Sequence, residues 1–412
     1  MSESRTKEAI TQVRSKPLPF MYPGATFLDE EEVNAVLEVI RSKSLFRYYG
    51  PKLLGIAGIF EDELKRYAGS SYALGVCSGT AALHASLVGL GVGPGDEVII
   101  PTYSWVSCPS VVVACGATPV LANIDESLTL DPHDVEARIT NRTKAIMAVH
   151  ILGAPCDLDS LSRIAKKYQI AILEDAAQSV GGSYRGRKLG SIGDVGAFSF
   201  QLNKMITAGE GGAVITNDDS IYDRALMFHD MAAPYRLFKR RGPSVFKAAI
   251  PGINYRITEV AAAILRVQLR KLDKIVSTIR QNKQKIKKGI SDVSDIRFRK
   301  FHDPEGEVGV ALTLFFEDTS KANRFKDALV AAGTVFEGGR YPQIIYDPTR
   351  IDGHVFIRWG HIIRGIERVK DMYDRSLEIL GRTVSIDVSP LLTAEDINDL
   401  VKAVHQAAKV LA

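Results

Sequence analysis

Short runs of strand-forming residues alternate with amphipathic, helix-length segments between positions 72 and 216. The predicted strands are Tyr72–Cys77, Glu97–Pro101, Pro119–Ile124, Lys144–His150, Ile170–Asp175, Ala197–Phe200 and Ala213–Thr216. The predicted helices between them include Thr80–Leu90, Val106–Cys115, Pro132–Ile139 and Leu158–Tyr168. Because parallel strands need crossover connections, this alternation predicts an α/β fold with a mostly parallel mixed sheet flanked by helices. A ligand of such a sheet should bind at the carboxyl ends of its strands.

The second part of the chain predicts a smaller α+β unit. It begins with a long helical segment rich in Lys, Arg and Gln, Glu259–Lys288, which we expect to bridge two domains. Further strands are predicted at Ala311–Phe316 and Thr383–Val388, and further helices at Ala322–Ala332 and Ala394–Leu411. A chain of 412 residues has room for two or three domains of about 100 to 200 residues each. The predicted division is an N-terminal extension (1–20), a large domain (21–265) and a small C-terminal domain (266–412).

Charge and hydropathy argue against nucleic-acid and membrane partners. The 52 Lys and Arg against 48 Asp and Glu give a net charge of +4, which is dilute for a nucleic-acid footprint. The longest apolar stretches, such as Val111–Cys115, fall far short of the roughly 18 residues that a membrane span needs. The N-terminal region also lacks the apolar segment of a secretory signal, so we expect a cytoplasmic protein.

The four cysteines are Cys77, Cys108, Cys115 and Cys156. They share no CxxC spacing and have no local histidine cluster, so the sequence gives little support for a metal site. We expect them to be buried, reduced thiols.

Two segments that follow predicted strands are candidate ligand contacts, one for an anion and one for a flat ring. Ser78-Gly79-Thr80 opens a helix, and such a turn offers backbone N–H groups and a partial positive charge to an anion. An ordinary N-cap by Ser78 or Thr80 is the alternative. Pro101–Trp105 carries aromatic rings that could stack on a flat cofactor or simply pack in the core.

Two further segments carry acid and amine groups to strand ends. Glu174 and Asp175 close an apolar run, and a carboxylate there is costly unless it meets a cation or a donor. A protonated ring nitrogen would serve, with Gln178 donating to an oxygen of the same ring, while a helix cap is the alternative. Lys204 follows a strand and precedes a glycine-rich turn, where a partly desolvated amine can form a Schiff base. Most lysines, however, are simply solvated.

Together these residues resemble the DegT-type family of sugar and cyclitol aminotransferases, which are fold-type I pyridoxal phosphate enzymes. The similarity runs from Leu45 to Thr393 and is densest between Cys77 and Leu269. The matching blocks are SGTAALHASL (78–87), GPGDEVIIPTYSW (93–105), RTKAIMAVHILGAP (142–155), EDAAQSVGG (174–182), GDVGAFSFQLNKMITAGEGGAVIT (193–216) and NYRITEVAAAILRVQL (254–269). The resemblance implies a cofactor that alternates between pyridoxal 5'-phosphate and pyridoxamine 5'-phosphate.

The resemblance also assigns roles to individual positions. Lys204 corresponds to the lysine that bonds to the cofactor and acts as general acid and base, and Asp175 to the carboxylate that keeps the pyridine nitrogen protonated. Gln178 matches the residue near the ring oxygen, and Trp105 the aromatic that stacks on the ring. The positions that match phosphate contacts are Gly79, Thr80, Ser199 and Asn254. The family supplies the asparagine from the neighbouring subunit, which implies a homodimer with shared active sites.

The resemblance leaves the acceptor open. Lysine at position 204, where related dehydratases have histidine, favours transamination. The segments Leu45–Gly50, Phe200–Lys204 and His229-Asp230 are most similar to enzymes that aminate keto-cyclitols, such as glutamine:scyllo-inosose aminotransferases of aminoglycoside antibiotic biosynthesis. The amino donor implied by the resemblance is glutamine or glutamate.

The main alternative acceptor is a nucleotide-linked keto-sugar, whose diphosphate could dock on Lys239-Arg240-Arg241 or on Arg185–Lys188. A pyridoxal-phosphate-binding regulator without turnover is an alternative of another class. Arg256, Arg340 and Tyr341 are candidate substrate contacts. The last two lie in a segment, Gly338–Trp359, that departs from the family pattern.

Overall fold

All seven strands predicted between positions 72 and 216 are present in the computed structural model, which describes residues 10–16, 18–334 and 369–411. The strands in chain order are β1 (Tyr72–Val76), β2 (Glu97–Pro101), β3 (Thr118–Ala122), β4 (Thr143–Val149), β5 (Ala171–Asp175), β6 (Ser183–Tyr184), β7 (Arg187–Lys188), β8 (Val195–Ser199), β9 (Gly212–Thr216), β10 (Arg297–Phe298), β11 (Ala311–Phe315) and β12 (Thr383–Asp387). The sequence did not predict the short hairpin β6–β7 or the two-residue strand β10.

The seven strands form one sheet in the order β1-β9-β8-β5-β4-β2-β3. Five neighbouring strands of the sheet, β8, β5, β4, β2 and β3, run parallel to one another. Strand β9 is antiparallel to both of its neighbours, β8 and β1. The predicted mostly parallel mixed sheet is therefore confirmed. Every residue of β2, β8 and β9 is buried, as expected for strands covered on both faces.

The helices in chain order are α1 (Pro23–Thr26), α2 (Glu30–Ser42), α3 (Ile56–Ala68), α4 (Gly79–Gly89), α5 (Ser107–Ala114), α6 (Pro132–Arg138), α7 (Leu158–Tyr168), α8 (Asp219–His229), α9 (Ala233–Arg241), α10 (Glu259–Gly289), α11 (Thr319–Ala331), α12 (Val369–Gly381) and α13 (Ala394–Lys409). Short 3₁₀ turns cover Ile151–Gly153 and Pro243–Phe246. In the described part of the chain, no helix combines the length and the apolarity needed to cross a membrane.

Two apolar clusters cover the two faces of the large sheet. Alternate residues of β2 divide between them, with Val98 and Ile100 in one cluster and Ile99 in the other, because successive side chains of a strand point to opposite faces. Helices α4, α5 and α8 contribute to the first cluster, and helices α3, α7 and α10 to the second.

The smaller unit packs along the long helix α10. Its antiparallel sheet has the order β10-β11-β12, α11 packs against β12, and α13 packs against α10 and α11. Helix α10 contacts α2 and α3 of the first part of the chain and also α13 of the second. These contacts suit the bridging role predicted for the segment, while the domain limits at 20 and 265 stay a prediction.

The segment at the N-terminus packs against this smaller unit. The Val13 backbone N–H donates to the Ala332 carbonyl over 2.9 Å, and Arg14 forms ion pairs with Asp396 at 2.8 Å and with Asp399 at 3.3 Å. These contacts join residues that are far apart in sequence, since Asp396 and Asp399 lie on α13.

Candidate active site

The carboxyl ends of β5 and β8 bring two of the predicted site segments together. The strands are parallel neighbours with Asp175 opposite Ala197, so Asp175 and Ser199 leave the sheet at the same edge. The loop that follows β8 carries Lys204, and the turn that follows β1 opens helix α4. This edge is where an open α/β sheet binds its ligand.

Lys204 is held in the loop between β8 and β9 by backbone hydrogen bonds on both sides. Its N–H donates to the Gln201 carbonyl over 2.9 Å, and its carbonyl accepts from the Gly24 N–H over 3.1 Å. Burial lowers the pKa of the Lys204 amine, although the charge of Asp175 opposes this effect. A lower pKa leaves more of the amine neutral near pH 7, and the neutral amine is the form that attacks a carbonyl or takes up a proton.

Asp175 is 5% exposed and has spare acceptor capacity. One carboxylate oxygen accepts from the Ala177 N–H over 3.0 Å, and the other accepts from the Cys108 thiol over 3.3 Å. Burial, together with the charge of Asp175, raises the pKa of Cys108 well above its ordinary value, so the thiol keeps its proton and donates. A carboxylate offers about four acceptor positions, which leaves room for a cationic N–H group.

Cys108 was not predicted as a site residue. It lies in the first turn of α5, and its N–H donates to the Trp105 carbonyl over 3.0 Å. A cysteine within an apolar helix is typical of a core, and only the fold places it against Asp175.

Glu174, the other acid of the pair, has a different task because it points to the opposite face of β5. It is fully buried and accepts hydrogen bonds from His150 Nε2 at 2.9 Å, Gly190 N at 2.8 Å, Ile192 N at 2.6 Å and Gly193 N at 2.6 Å. His150 Nδ1 accepts from the Cys156 N–H over 3.1 Å, so Nε2 is the nitrogen that donates to Glu174. Glu174 therefore anchors the loop before β8 and does not face the site.

Glu174→Gln is expected to destabilise the fold by about 3 kcal/mol, because one amide oxygen cannot replace a carboxylate that accepts four hydrogen bonds. Burial alone would raise the pKa of Glu174, but the bonds from His150 and the loop amides outweigh it and hold that pKa below its ordinary value. The stabilisation by Glu174 should thus be complete above about pH 4.3, the pKa of the carboxyl group in the unfolded chain. It should be lost as the pH falls through the lower pKa of this group in the folded protein.

Urea unfolding of both proteins between pH 3 and pH 7 measures this difference. Glu136→Gln is the matched control, since Glu136 forms an exposed ion pair with Lys167. We expect no measurable change for the control. Equal midpoints for wild type and Glu174→Gln at pH 7 would contradict the prediction.

The turn after β1 packs so tightly against β8 and β9 that the contact positions require glycine. Ser78 caps α4 by accepting from the Ala81 N–H over 3.0 Å, so the N-cap interpretation holds for this residue. A Cβ on Gly79 would lie 2.6 Å from Ser199 Cβ, and one on Gly212 would lie 2.3 Å from the Ser78 carbonyl oxygen. Among the described residues, none accepts a hydrogen bond from the N–H groups of Gly79 and Thr80. These donors fit a phosphate at the helix N-terminus.

The remaining predicted site residues differ in their surroundings. The Thr80 hydroxyl lies 2.8 Å from the Ser107 hydroxyl, and the Trp105 side chain is 47% exposed at the start of α5. Gln178 Oε1 accepts from the Leu152 N–H over 2.8 Å, which leaves its amide nitrogen as a donor. Asn254 is exposed, two residues from Arg256, which bridges to the end of β1. The individual roles assigned to these residues stay predictions.

The candidate docking cations divide into three groups. Arg185 pairs with Asp159, and Lys188 donates to the Tyr67 hydroxyl over 2.9 Å, so both ends of the β6–β7 hairpin have local partners. Arg256 donates to Asp230 over 2.9 Å. The side chains of Lys239-Arg240-Arg241, and all of Arg340, Tyr341 and Gly338–Trp359, lie outside the described residues.

The prediction of four buried thiols is only partly right. Cys108 and Cys156 are buried and Cys115 is half-buried, but Cys77 is exposed. The difference arises because β1 ends at Val76, so Cys77 already lies at the open carboxyl edge of the sheet.

The mostly parallel mixed sheet flanked by helices is that of fold-type I pyridoxal phosphate enzymes. The sequence profile described as the DegT/DnrJ/EryC1/StrS aminotransferase family matches residues 26–405, and the chain belongs to this family. It is therefore a pyridoxal-phosphate-dependent aminotransferase. As predicted from the resemblance, its cofactor alternates between the pyridoxal and pyridoxamine forms.

Three similar proteins illustrate the relationship. GDP-perosamine synthase of Caulobacter vibrioides is 44% identical over 218 residues, which are 52% of this chain and 56% of that protein. GDP-perosamine synthase of Escherichia coli O157:H7 is 36% identical over 285 residues, which are 68% of this chain and 73% of that protein. The crystal structure of 3-amino-5-hydroxybenzoic acid synthase is 26% identical, with a TM-score of 0.79 over 93% of this chain and 97% of that one.

The residues at the sheet edge fit the cofactor. The N–H groups that open α4 suit its phosphate, and the Asp175 carboxylate suits its ring nitrogen. The Lys204 amine, whose pKa is lowered by burial, suits its aldehyde group.

Proposed function

We propose that the protein transfers an amino group to the ketone of a nucleotide-linked sugar, with a guanosine diphosphate sugar as the preferred substrate class. The observation that carries the proposal is the 44% identity to a GDP-perosamine synthase, together with a second protein of the same name at 36% identity. The amino donor is glutamate or glutamine. The keto-cyclitol acceptor favoured by the sequence segments thus becomes the second candidate.

In the proposed reaction, the residues of this chain bind the reactants and move protons. When bound, the cofactor would supply an electron sink and a carrier for the amino group. Lys204 takes the proton from the α-carbon of the donor and later returns a proton to the sugar carbon that becomes the amine. Asp175 holds the proton on the ring nitrogen, and Gln178 donates to the ring oxygen.

Binding is assigned to the other residues around the sheet edge. Gly79, Thr80 and Ser199 hold the phosphate, and Trp105 stacks on the ring. Asn254 completes the phosphate site of the partner subunit in a homodimer, which its exposure supports. We also propose that the protein is located in the cytoplasm.

The keto-cyclitol candidate rests on a different observation. The segments Leu45–Gly50, Phe200–Lys204 and His229-Asp230 favour it. In addition, one structural neighbour is named 3-amino-5-hydroxybenzoic acid synthase, and that name includes no nucleotide. Membership of an aminotransferase family leaves the non-catalytic regulator without support.

The acceptor is tested by half-reactions. The protein is first converted to its pyridoxamine form with glutamate or glutamine, and recovery of the pyridoxal absorbance is then followed with each ketone. We expect recovery with a GDP-linked keto-sugar and no recovery with a free keto-cyclitol such as scyllo-inosose. GDP should inhibit that recovery, whereas ADP, the matched control, should not. Recovery with the cyclitol alone would replace the proposal by the second candidate.

A further inference from the structure

Arg299 is a buried cation that binds backbone carbonyls of the large domain. Its side chain belongs to the smaller unit and the residue is 4% exposed. Nε donates to the Ser127 carbonyl over 2.6 Å, and Nη2 donates to the Ile151 carbonyl over 3.0 Å. Burial lowers the pKa of Arg299 to about 10, although the charge of Glu307 opposes this. Burying a guanidinium is costly, so the hydrogen bonds that it makes to the large domain must offset that cost.

That segment is the short turn Ile151–Gly153, whose backbone is strained. Leu152 has φ 52° and ψ 33°, a left-handed conformation that non-glycine residues adopt only where their surroundings enforce it. Gly153 has φ 75°, and its carbonyl accepts from the Val308 N–H over 3.0 Å. A Cβ on Gly153 would lie 2.3 Å from Val308 Cγ2. Residues 299 and 308 therefore clamp the turn from one side.

The other side of the turn meets the candidate active site. The Leu152 N–H donates to Gln178 Oε1 over 2.8 Å, and this bond orients the side-chain amide. With the oxygen engaged in this way, the amide nitrogen is the group left to donate to a ligand. If Leu152 left its left-handed conformation, its N–H would turn away from Gln178 and the amide could rotate.

We propose that Arg299 is a positioning residue, which holds the Ile151–Gly153 turn so that Leu152 keeps the amide nitrogen of Gln178 directed at the ring oxygen of the cofactor. This inference rests on the role proposed for Gln178 and adds a residue from the smaller unit that acts through it.

A double-mutant cycle between Arg299 and Gln178 tests the coupling. The variants are Arg299→Met, Gln178→Ala and the double variant. The two readouts are the dissociation constant of pyridoxal phosphate and the pH midpoint at which the visible absorbance of the bound cofactor changes. Arg299→Met is expected to weaken cofactor binding about tenfold, the equivalent of one hydrogen bond, and to shift the midpoint. In the Gln178→Ala background the same change should add less than about twofold, because the amide that Arg299 positions is gone.

Two further variants separate positioning from general damage to the fold. Arg299→Lys should recover part of the affinity and of the midpoint, since an ammonium can still donate to one of the two carbonyls. Arg297→Met is the matched control, because Arg297 lies two residues away and forms an exposed pair with Glu126. The control should retain both the wild-type dissociation constant and the wild-type pH midpoint. If Arg299→Met fails to fold in a thermal melt, the cycle is run with Arg299→Lys and Gln178→Ala.

Additive effects of the two substitutions on the dissociation constant of the cofactor would overturn the proposal. So would a result in which Gln178→Ala shifts the pH midpoint and Arg299→Met does not. An unchanged midpoint in Gln178→Ala would also overturn it, by removing the role of Gln178. The wild-type half-reactions with donor and acceptor are measured separately, so their failure would identify an error in the proposed function instead.

Discussion

Lys204→Ala is expected to lower kcat by at least about 10⁴-fold, because it removes the amine to which we assign both the bond to the cofactor and the transfer of the proton. Burial lowers the pKa of the amine that this change deletes, although the charge of Asp175 opposes the effect. The backbone bonds of Lys204 to Gln201 and Gly24 do not involve the side chain and should persist. The fold and non-covalent cofactor binding are therefore expected to survive.

Steady-state turnover, far-ultraviolet circular dichroism and the visible spectrum of the bound cofactor measure the three parts of this prediction. Lys167→Ala is the matched control, since the Lys167 amine is exposed and pairs with Glu136 at the surface. The control should have wild-type kcat and the wild-type spectrum. Added small primary amines should restore part of the activity of Lys204→Ala, because they can move the proton in place of the missing side chain. Activity within tenfold of wild type would assign the chemistry to another residue.

The strands of the large sheet were predictable because each combines a buried apolar run with a nearby turn signal. Helices α4 to α7 were predicted with bounds that differ from the observed ones by at most one residue. The lateral order of the strands was not predictable. The position of β9 between β1 and β8 depends on hydrogen-bond partners far away in sequence. The hairpin β6–β7 was missed because two-residue strands carry no periodic signal.

At the candidate site, the sequence identified groups whose chemistry is visible in their own side chains. Asp175 ends one buried strand, Lys204 follows another, and the family blocks contain both residues. The different tasks of Glu174 and Asp175 could also have been predicted, because neighbouring residues of a strand point to opposite faces. Cys108 and Arg299 could not, since their significance comes from partners 67 and 148 positions away in the sequence.

Short sequence segments and similarity over longer stretches point to different acceptors. Leu45–Gly50, Phe200–Lys204 and His229-Asp230 resemble enzymes that aminate cyclitols, whereas the two relatives that match over 218 and 285 residues are both named GDP-perosamine synthase. His229 is fully buried, with its Nε2 3.3 Å from the Tyr48 hydroxyl, and burial lowers its pKa to about 3. A neutral histidine enclosed in this way is a packing group, so its identity carries little information about the acceptor.

Asp175→Asn is the second substitution with a large expected effect, a loss of about 10³-fold in the rate of the first half-reaction. A carboxylate stabilises a protonated ring nitrogen, whereas a neutral amide does not, so the ring becomes a weaker electron sink. The amide is nearly the same size, and its oxygen can still accept from either Ala177 or Cys108. Cofactor binding and the fold should thus be retained, which separates this outcome from simple loss of the cofactor.

Stopped-flow absorbance with a saturating amino donor measures that rate directly. The control is Cys108→Ser, whose hydroxyl can replace the thiol as donor to Asp175 and leaves the carboxylate in place. We expect the control to remain within about tenfold of wild type, since only one weak hydrogen bond is exchanged for another. A slow Asp175→Asn beside a fast Cys108→Ser would mean that the charge of Asp175, and not the geometry of its hydrogen bonds, drives the reaction. An unchanged rate in Asp175→Asn would mean that another group keeps the ring protonated.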